Sequence, residues 1–146
     1  MVFKMTHLLD TDYLSVLQQE SSPERAVIVL RINETGCVNV LAAVISFHEQ
    51  MRGAHAFINS ARKREQLVRG YGMMSKIIDT FSTFRVLPFD DLAASIAESS
   101  VIPTSKIGTM DLRIASIALA NDLTLVTRNT SDFVRVPNLK LEDWTK

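Results

Sequence analysis

The chain has 146 residues, of which 47% are hydrophobic and 22% are charged. This length predicts a single domain over residues 1–146, and the apolar content excludes a wholly disordered chain. Sixteen Lys and Arg balance sixteen Asp and Glu, which argues against binding to nucleic acid or membrane by bulk charge, although a local basic face stays open.

The cysteine content and the lengths of the apolar runs bear on where the protein works. Cys37 is the single cysteine, so it has no partner for an intramolecular disulfide, and we interpret it as a small core residue. The longest apolar runs are too short to cross a bilayer. We therefore expect a cytoplasmic protein with no membrane partner.

Short apolar runs alternate with longer segments of helical periodicity, which is typical of an α/β domain with a mainly parallel sheet. Ser22 and Pro23 suit the cap and the first position of a helix, and Gly36 suits its end. In chain order, the first half of the pattern predicts a strand at 5–9, a helix to about 18, a helix at 24–34, a strand within 38–45 and a helix from 46 to about 61. The second half predicts a helix at 65–81, a strand at 86–87, a helix from 90 or 91 to about 100, a helix at 110–120, a strand at 123–126 and a last strand at 139–141.

The predicted helix at 65–81 carries one marked apolar face. Its members recur at spacings of three and four, and they are Leu67, Tyr71, Met74, Ile78 and Phe81. Such a face predicts either packing within the chain or a surface that binds a second copy, and the spacing alone favours neither.

Four acids fall close to the ends of predicted strands or the starts of predicted helices. Asp10 follows the first strand, Glu49 lies in the first turn of the helix after the second, Asp111 opens a helix, and Asp132 closes a polar loop at 127–132. The carboxyl ends of parallel strands share one edge of a sheet, so these side chains could meet there. Each also has a local alternative, such as a helix cap or, for Ser46 with Glu49, a capping box.

Carboxylates that crowd together repel one another, so such a cluster needs protons or a divalent cation. Oxygen ligands favour Mg²⁺, or Mn²⁺ as a substitute, over zinc. Ions of this kind can orient a phosphodiester and lower the pKa of a bound water. The acids therefore predict metal-dependent hydrolysis, which agrees with the lack of a convincing serine or cysteine triad.

Four segments together resemble a known family: LLDTDYLS (8–15), ISFHEQMRG (45–53), GTMDLRIASIAL (108–119) and LVTRNTSDF (125–133). In this order they are similar to the motifs of PIN-domain ribonucleases, and above all of VapC-type toxins from type II toxin–antitoxin modules. The resemblance covers nearly the whole chain. It implies a PIN-like three-layer α/β/α fold, Mg²⁺-dependent hydrolysis of RNA by a metal-activated water, a homodimer, and a cognate VapB-like antitoxin whose tail enters the active site.

The resemblance also implies roles for individual residues. The catalytic, metal-binding acids are Asp10, Glu49, Asp111 and Asp132. Thr127 and Asn129 match polar positions that line the same site, whereas we assign Asp12 to a cap or to the rim.

Four arginines are candidates for contact with RNA. Arg62 and Arg64 belong to the densest basic stretch, while Arg52 and Arg128 fall nearer to the proposed sheet edge. A solvated helix surface is the alternative for the first pair, and a plain surface position is the alternative for Arg128.

Two other functions stay open. The LLDTD segment also begins haloacid-dehalogenase-like phosphatases, in which Asp10 would be the nucleophile and Asp12 an acid and base; that scheme needs a downstream Lys and a later acidic pair that we do not find. A non-catalytic interaction module, with the acids as caps, is the third reading. The RNA target and the number of ions are not predicted.

Overall fold

The computed structural model describes residues 5–99 and 107–146. Five strands form one sheet: β1 (His7–Leu9), β2 (Val40–Ala43), β3 (Arg85–Leu87), β4 (Thr124–Val126) and β5 (Lys140–Glu142). The helices are α1 (Thr11–Leu17), α2 (Pro23–Thr35), α3 (Val44–Ser60), α4 (Arg64–Thr83), α5 (Asp91–Glu98), α6 (Thr109–Ala120) and α7 (Thr130–Phe133). The predicted end of the fifth helix at about residue 100 lies outside the described residues.

The strands lie in the order β3-β2-β1-β4-β5, and every neighbouring pair is parallel. Strand β1 is central, with Leu8 opposite both Leu41 of β2 and Leu125 of β4. The chain therefore leaves β1, β2 and β4 at the same edge of the sheet, which we call the carboxyl edge.

Helices cover both faces of this sheet because successive strand side chains point to opposite sides. Leu8 and Leu125 pack with buried residues of α5 and α6 on one face. Leu9 and Val126 pack with buried residues of α1, α2, α3 and α4 on the other. The predicted three-layer α/β/α fold with a central parallel sheet is confirmed.

Local signals in the sequence fix the second helix as predicted. The Ser22 hydroxyl accepts a hydrogen bond from the Arg25 N–H at 3.1 Å, and Pro23 occupies the first turn. Gly36 ends the helix with φ of 94°, a value that favours glycine.

The predicted start of the third helix is wrong. Strand β2 passes into α3 at Val44 without a loop, and Ala43 is the boundary residue, with no side-chain cap. Ser46 is therefore the third residue of the helix and Glu49 lies in its second turn, so these two residues do not form a capping box.

Two smaller predictions are also wrong. Part of the predicted loop at 127–132 is helical, since α7 begins at Thr130 and is anchored by the fully buried Phe133. Cys37 is exposed rather than buried, because it opens a 3₁₀ turn over Cys37–Asn39 just after α2.

Helices α3 and α4 pack against each other as a hairpin. Gly70 is buried at their contact, and a Cβ there would lie 2.5 Å from Cγ1 of Ile58. The predicted apolar face of α4 is only partly internal: Phe81 is buried, whereas Tyr71 and Ile78 are 57% and 56% exposed. In the described part of the chain, no helix combines the length and the apolar character needed to span a membrane.

Candidate active site

Asp10 lies where β1 ends and is only 6% exposed. It caps α1: its Oδ1 accepts a hydrogen bond from the Thr11 N–H at 2.8 Å, and its Oδ2 accepts one from the Thr127 hydroxyl at 2.8 Å. Burial raises the pKa of Asp10, while these two hydrogen bonds act to lower it. Asp10 is therefore both a helix cap and a buried acid of the carboxyl edge.

Thr127 and Asn129 connect Asp10 to Asp132. Thr127 follows β4, is fully buried, and accepts a hydrogen bond from the Asn129 N–H at 3.0 Å while it donates to Asp10. The Asn129 side-chain amide donates to Asp132 Oδ2 at 3.0 Å. The polar positions named from the sequence thus lie beside the acids and hold two of them.

Glu49 reaches the carboxyl edge from the second turn of α3. Its Oε1 accepts a hydrogen bond from the Thr11 hydroxyl at 2.8 Å, and the Ser46 hydroxyl lies 2.8 Å from the same Thr11 oxygen. Thr11 and Ser46 were not among the site residues predicted from the sequence. The available signals were the position of Thr11 directly after Asp10 and the spacing of Ser46 one helical turn before Glu49.

Asp111 lies in the first turn of α6 and is half-buried. Burial raises the pKa of this carboxyl to about 6, and the negative charges of Asp10, Glu49, Asp132 and Asp12 add to the shift. The four other acids thus lie close enough to Asp111 for their charges to affect its pKa, although they are far apart in the sequence.

A cavity of about 480 Å³ opens beside these acids. Glu49 and Asp111 line it together with two basic side chains, Arg52 and Arg113. For Arg113, two residues after Asp111, the sequence leaves contact with RNA and a plain surface position equally open. Negative and positive groups therefore share one concave surface, a combination suited to a substrate that carries phosphate.

The structure separates the four predicted RNA contacts. Arg52 lines the cavity. Arg128, in contrast, is ion-paired with Glu24, and its Nη2 lies 3.9 Å from Oδ2 of Asp12. Arg62 and Arg64 lie beyond the far end of α3, and that end is already about 17 Å along the helix axis from Glu49 at the usual rise per residue. The structure brings Arg52 to the acids and does not bring Arg62 or Arg64 there.

The acids are the right type of ligand for a divalent cation, but their side chains are not arranged around one common point. Carboxylate oxygens are the ligands that Mg²⁺ and Mn²⁺ prefer. The pKa of Asp111 is raised first by burial and then by the negative charges of the other acids, and a cation would offset those charges. Within residues 5–99 and 107–146, however, no three His, Cys, Asp or Glu side chains form a group that could hold a metal ion as they stand. The predicted ligand set stays a prediction.

Comparisons with known proteins connect this geometry to a family. No family model matches the chain. It is 42% identical over 71 residues to Ribonuclease VapC2 from Rickettsia felis, a match that covers 49% of this chain and 49% of that relative. Among solved structures, it is similar to VapBC2 from Rickettsia felis bound to a DNA fragment from their promoter, with 25% identity, a TM-score of 0.74, and coverage of 96% of this chain and 99% of that one. The resemblance to VapC-type PIN-domain proteins is confirmed.

A second VapC-type structure gives the same result over the whole fold. VapBC-1 from nontypeable Haemophilus influenzae matches with 25% identity and a TM-score of 0.72, and covers 97% of this chain and 100% of that one. The sequence match to Ribonuclease VapC2, in contrast, spans about half the length of that protein. The VapC-type fold is therefore shared over nearly the whole chain.

Proposed function

We propose that this chain is the toxin of a VapBC-type module and hydrolyses RNA phosphodiester bonds with Mg²⁺. The observation that carries the proposal is the convergence of acids at the carboxyl edge, where Thr11 bonds both Asp10 and Glu49. Beside them, burial first and then the charges of the other acids raise the pKa of Asp111. The similarity to Ribonuclease VapC2 and to VapBC structures supports the same activity.

In this proposal Asp10, Glu49 and Asp111 hold one Mg²⁺, directly or through water, and Asp132 completes the site or binds a second ion. The bound ion would activate a water and neutralise charge on the substrate phosphate. The protein contributes the orientation of the acids: Thr127 holds Asp10, and Asn129 holds Asp132. Mn²⁺ would replace Mg²⁺ because both ions accept oxygen ligands.

Arg52 and Arg113 are the arginines best placed to contact RNA. Both line the cavity that also contains Glu49 and Asp111, so a strand whose phosphate approaches the acids would pass within their reach. Arg128 would have to exchange its ion pair with Glu24 for a phosphate. Arg62 and Arg64 would contact only a longer RNA that extends along α3.

The competing functions gain no support from the described residues. A phosphatase of the haloacid-dehalogenase type needs Asp12 as acid and base, but that side chain is 66% exposed and lies 3.9 Å from Arg128. A non-catalytic module would need Asp10 only as a cap, and a cap works at the surface without the cost of burying a carboxylate.

The proposed partners are a VapB-like antitoxin and a second copy of the chain, in the cytoplasm. A groove of about 360 Å³ between α2 and α4, lined by the apolar Val29, Ile32 and Phe84 and by polar side chains that include Arg25 and Asp79, would suit an antitoxin segment. Tyr71 and Ile78 are exposed apolar residues that either partner would cover. These assignments rest on the family resemblance.

Removal of a single carboxylate tests the proposed activity. We expect Asp10→Asn and Asp111→Asn each to lower Mg²⁺-dependent RNA cleavage at least about 100-fold, because each loses a charge that the reaction needs. Cleavage is measured with purified protein and total RNA, and the cleavage ends are mapped at the same time.

Asp122→Asn is the matched control for this experiment. Asp122 is exposed and has φ of 53°, a conformation that Asn also adopts readily, so the change removes one surface charge without strain. It should cleave like the wild type. Full cleavage by Asp10→Asn or Asp111→Asn would contradict the assignment.

A further inference from the structure

Thr11 touches both Asp10 and Glu49, which come from different elements. Its backbone N–H donates to Asp10 Oδ1 and its hydroxyl donates to Glu49 Oε1, each at 2.8 Å. A single residue at the start of α1 therefore sets the distance between an acid that follows β1 and an acid on α3.

Ser46 fixes the direction of the Thr11 hydroxyl. A hydroxyl has one hydrogen, and that of Thr11 is donated to Glu49. The contact of 2.8 Å between the two hydroxyl oxygens must then be a donation from Ser46 to Thr11. Ser46 is fully buried, so the side chain has no water to compete for this bond. The order of donation is Ser46 to Thr11 to Glu49.

Without the Thr11 hydroxyl, Glu49 would have a different partner within reach. Arg52 lies three residues later on α3, on the same helical face, and lines the same cavity. Glu49 and Arg52 nevertheless form no ion pair in the structure, although both are described. The bonds of Thr11 to Asp10 and to Glu49 thus hold Glu49 toward Asp10 rather than in an ion pair with Arg52.

We propose that Thr11 and Ser46 are positioning residues, whose hydroxyl chain holds Glu49 in place for a divalent cation. The inference rests on the proposed function, because it assigns a purpose to the orientation of Glu49. Groups that orient metal ligands commonly change metal affinity about 10- to 100-fold when they are removed.

Two substitutions at one position separate the hydroxyl from the shape of the side chain. Thr11→Val keeps the branched shape and removes the hydroxyl, whereas Thr11→Ser keeps the hydroxyl and removes a methyl group. Ser46→Ala removes the first donor of the chain. The control is Ser116→Ala, since Ser116 is equally buried but its hydroxyl donates only to the Leu112 carbonyl, at 2.8 Å.

The measurement is the Mg²⁺ dissociation constant of the folded protein, fitted from the rise in melting temperature over a series of MgCl₂ concentrations, because an ion at free concentration c that binds only the folded protein stabilises it by RT ln(1 + c/Kd). We expect Thr11→Val and Ser46→Ala to raise this dissociation constant about 10-fold or more. Thr11→Ser should stay within about 3-fold of the wild type, and Ser116→Ala should match it. In the Glu49→Gln background, Thr11→Val should have no further effect, because the hydroxyl acts through Glu49.

Three outcomes would contradict the inference in different ways. Equal losses in Thr11→Val and Thr11→Ser would mean that packing matters and the hydroxyl does not. Unchanged Mg²⁺ affinity in Thr11→Val would overturn the inference while the proposed function stands. A wild type that neither responds to MgCl₂ nor cleaves RNA would overturn the proposed function, and this inference with it.

Discussion

At the scale of single residues, ionisation of Asp111 among the other acids lowers the free energy of unfolding. Its pKa is raised from 3.8 to about 6, first by burial and then by the charges of Asp10, Glu49, Asp132 and Asp12. The folded protein therefore binds more protons than the unfolded chain between these two values, and ionisation of Asp111 weakens the fold as the pH rises through that window. The cost is complete above about pH 6 and absent below about pH 4.

Asp111→Asn should therefore stabilise the protein without divalent cations, by an amount that depends on pH. At about pH 7.5 we expect a gain of roughly 1 kcal/mol, a value already reduced for solvent screening of a half-exposed group, and at about pH 4 we expect no gain. Thermal melts in EDTA at the two pH values measure the difference. A variant that is less stable than the wild type at about pH 7.5 would show that Asp111 is not under repulsion.

Of the groups that hold the acids, Thr127 and Asn129 were named from the sequence, whereas Thr11 and Ser46 were not. Asp10, Asp111 and Asp132 stand out because each follows a strand or opens a helix, and parallel strands bring those points to one edge. The contact of Thr11 with Ser46 joins residues 35 positions apart, and the pairing of Arg128 with Glu24 joins residues 104 positions apart. No local sequence pattern predicts such contacts, because they depend on how α1, α2 and α3 are placed in three dimensions.

At the scale of elements, the α3–α4 hairpin depends on the absence of a side chain at Gly70. Two glycines occur in α4 within one turn, and each costs roughly 1 kcal/mol of helix propensity relative to Ala. The structure explains one of them: a Cβ at Gly70 would lie 2.5 Å from Cγ1 of Ile58 and 3.2 Å from Cδ1 of Phe57, while a Cβ at Gly72 would meet no atom within 4 Å.

The same substitution at these two glycines should consequently have effects of opposite sign. We expect Gly72→Ala to raise the free energy of unfolding by about 0.5–1 kcal/mol, because Ala is the better helix former. Gly70→Ala should lower it by about 1–3 kcal/mol, because α3 and α4 must move apart. Urea unfolding of the two variants measures both values, and a stabilising Gly70→Ala would contradict the close packing of the hairpin.

Periodicity predicted where the elements lie but not what covers them. The spacing of Leu67, Tyr71 and Ile78 correctly predicted an apolar helical face, yet all three side chains are exposed, because α3 packs on the side of α4 that carries Gly70. The start of α3 was missed for a related reason. Val44 and Ile45 continue the apolar run of β2 and are β-branched, so the sequence favours a strand there, whereas both residues already belong to α3.

At the scale of the whole molecule, the central claim is that one fold brings distant acids together for a cation. The parallel order β3-β2-β1-β4-β5 places the ends of β1, β2 and β4 side by side, and the residues that follow these strands contribute Asp10, Glu49 and Asp132. Asp111 joins them from α6. The alternation of strands and helices was enough to predict an α/β domain with a mainly parallel sheet, whereas the strand order and the individual carboxyl positions depend on how the helices pack.

The most direct test of this claim is anomalous X-ray diffraction from crystals of the wild type soaked in MnCl₂, with crystals of Asp111→Asn soaked in parallel. We predict a manganese peak in contact with, or one water away from, the carboxylates of Asp10, Glu49 and Asp111, and a much weaker peak in the variant. A wild-type map with no manganese among these three side chains, or with the three carboxylates directed away from one another, would contradict the account.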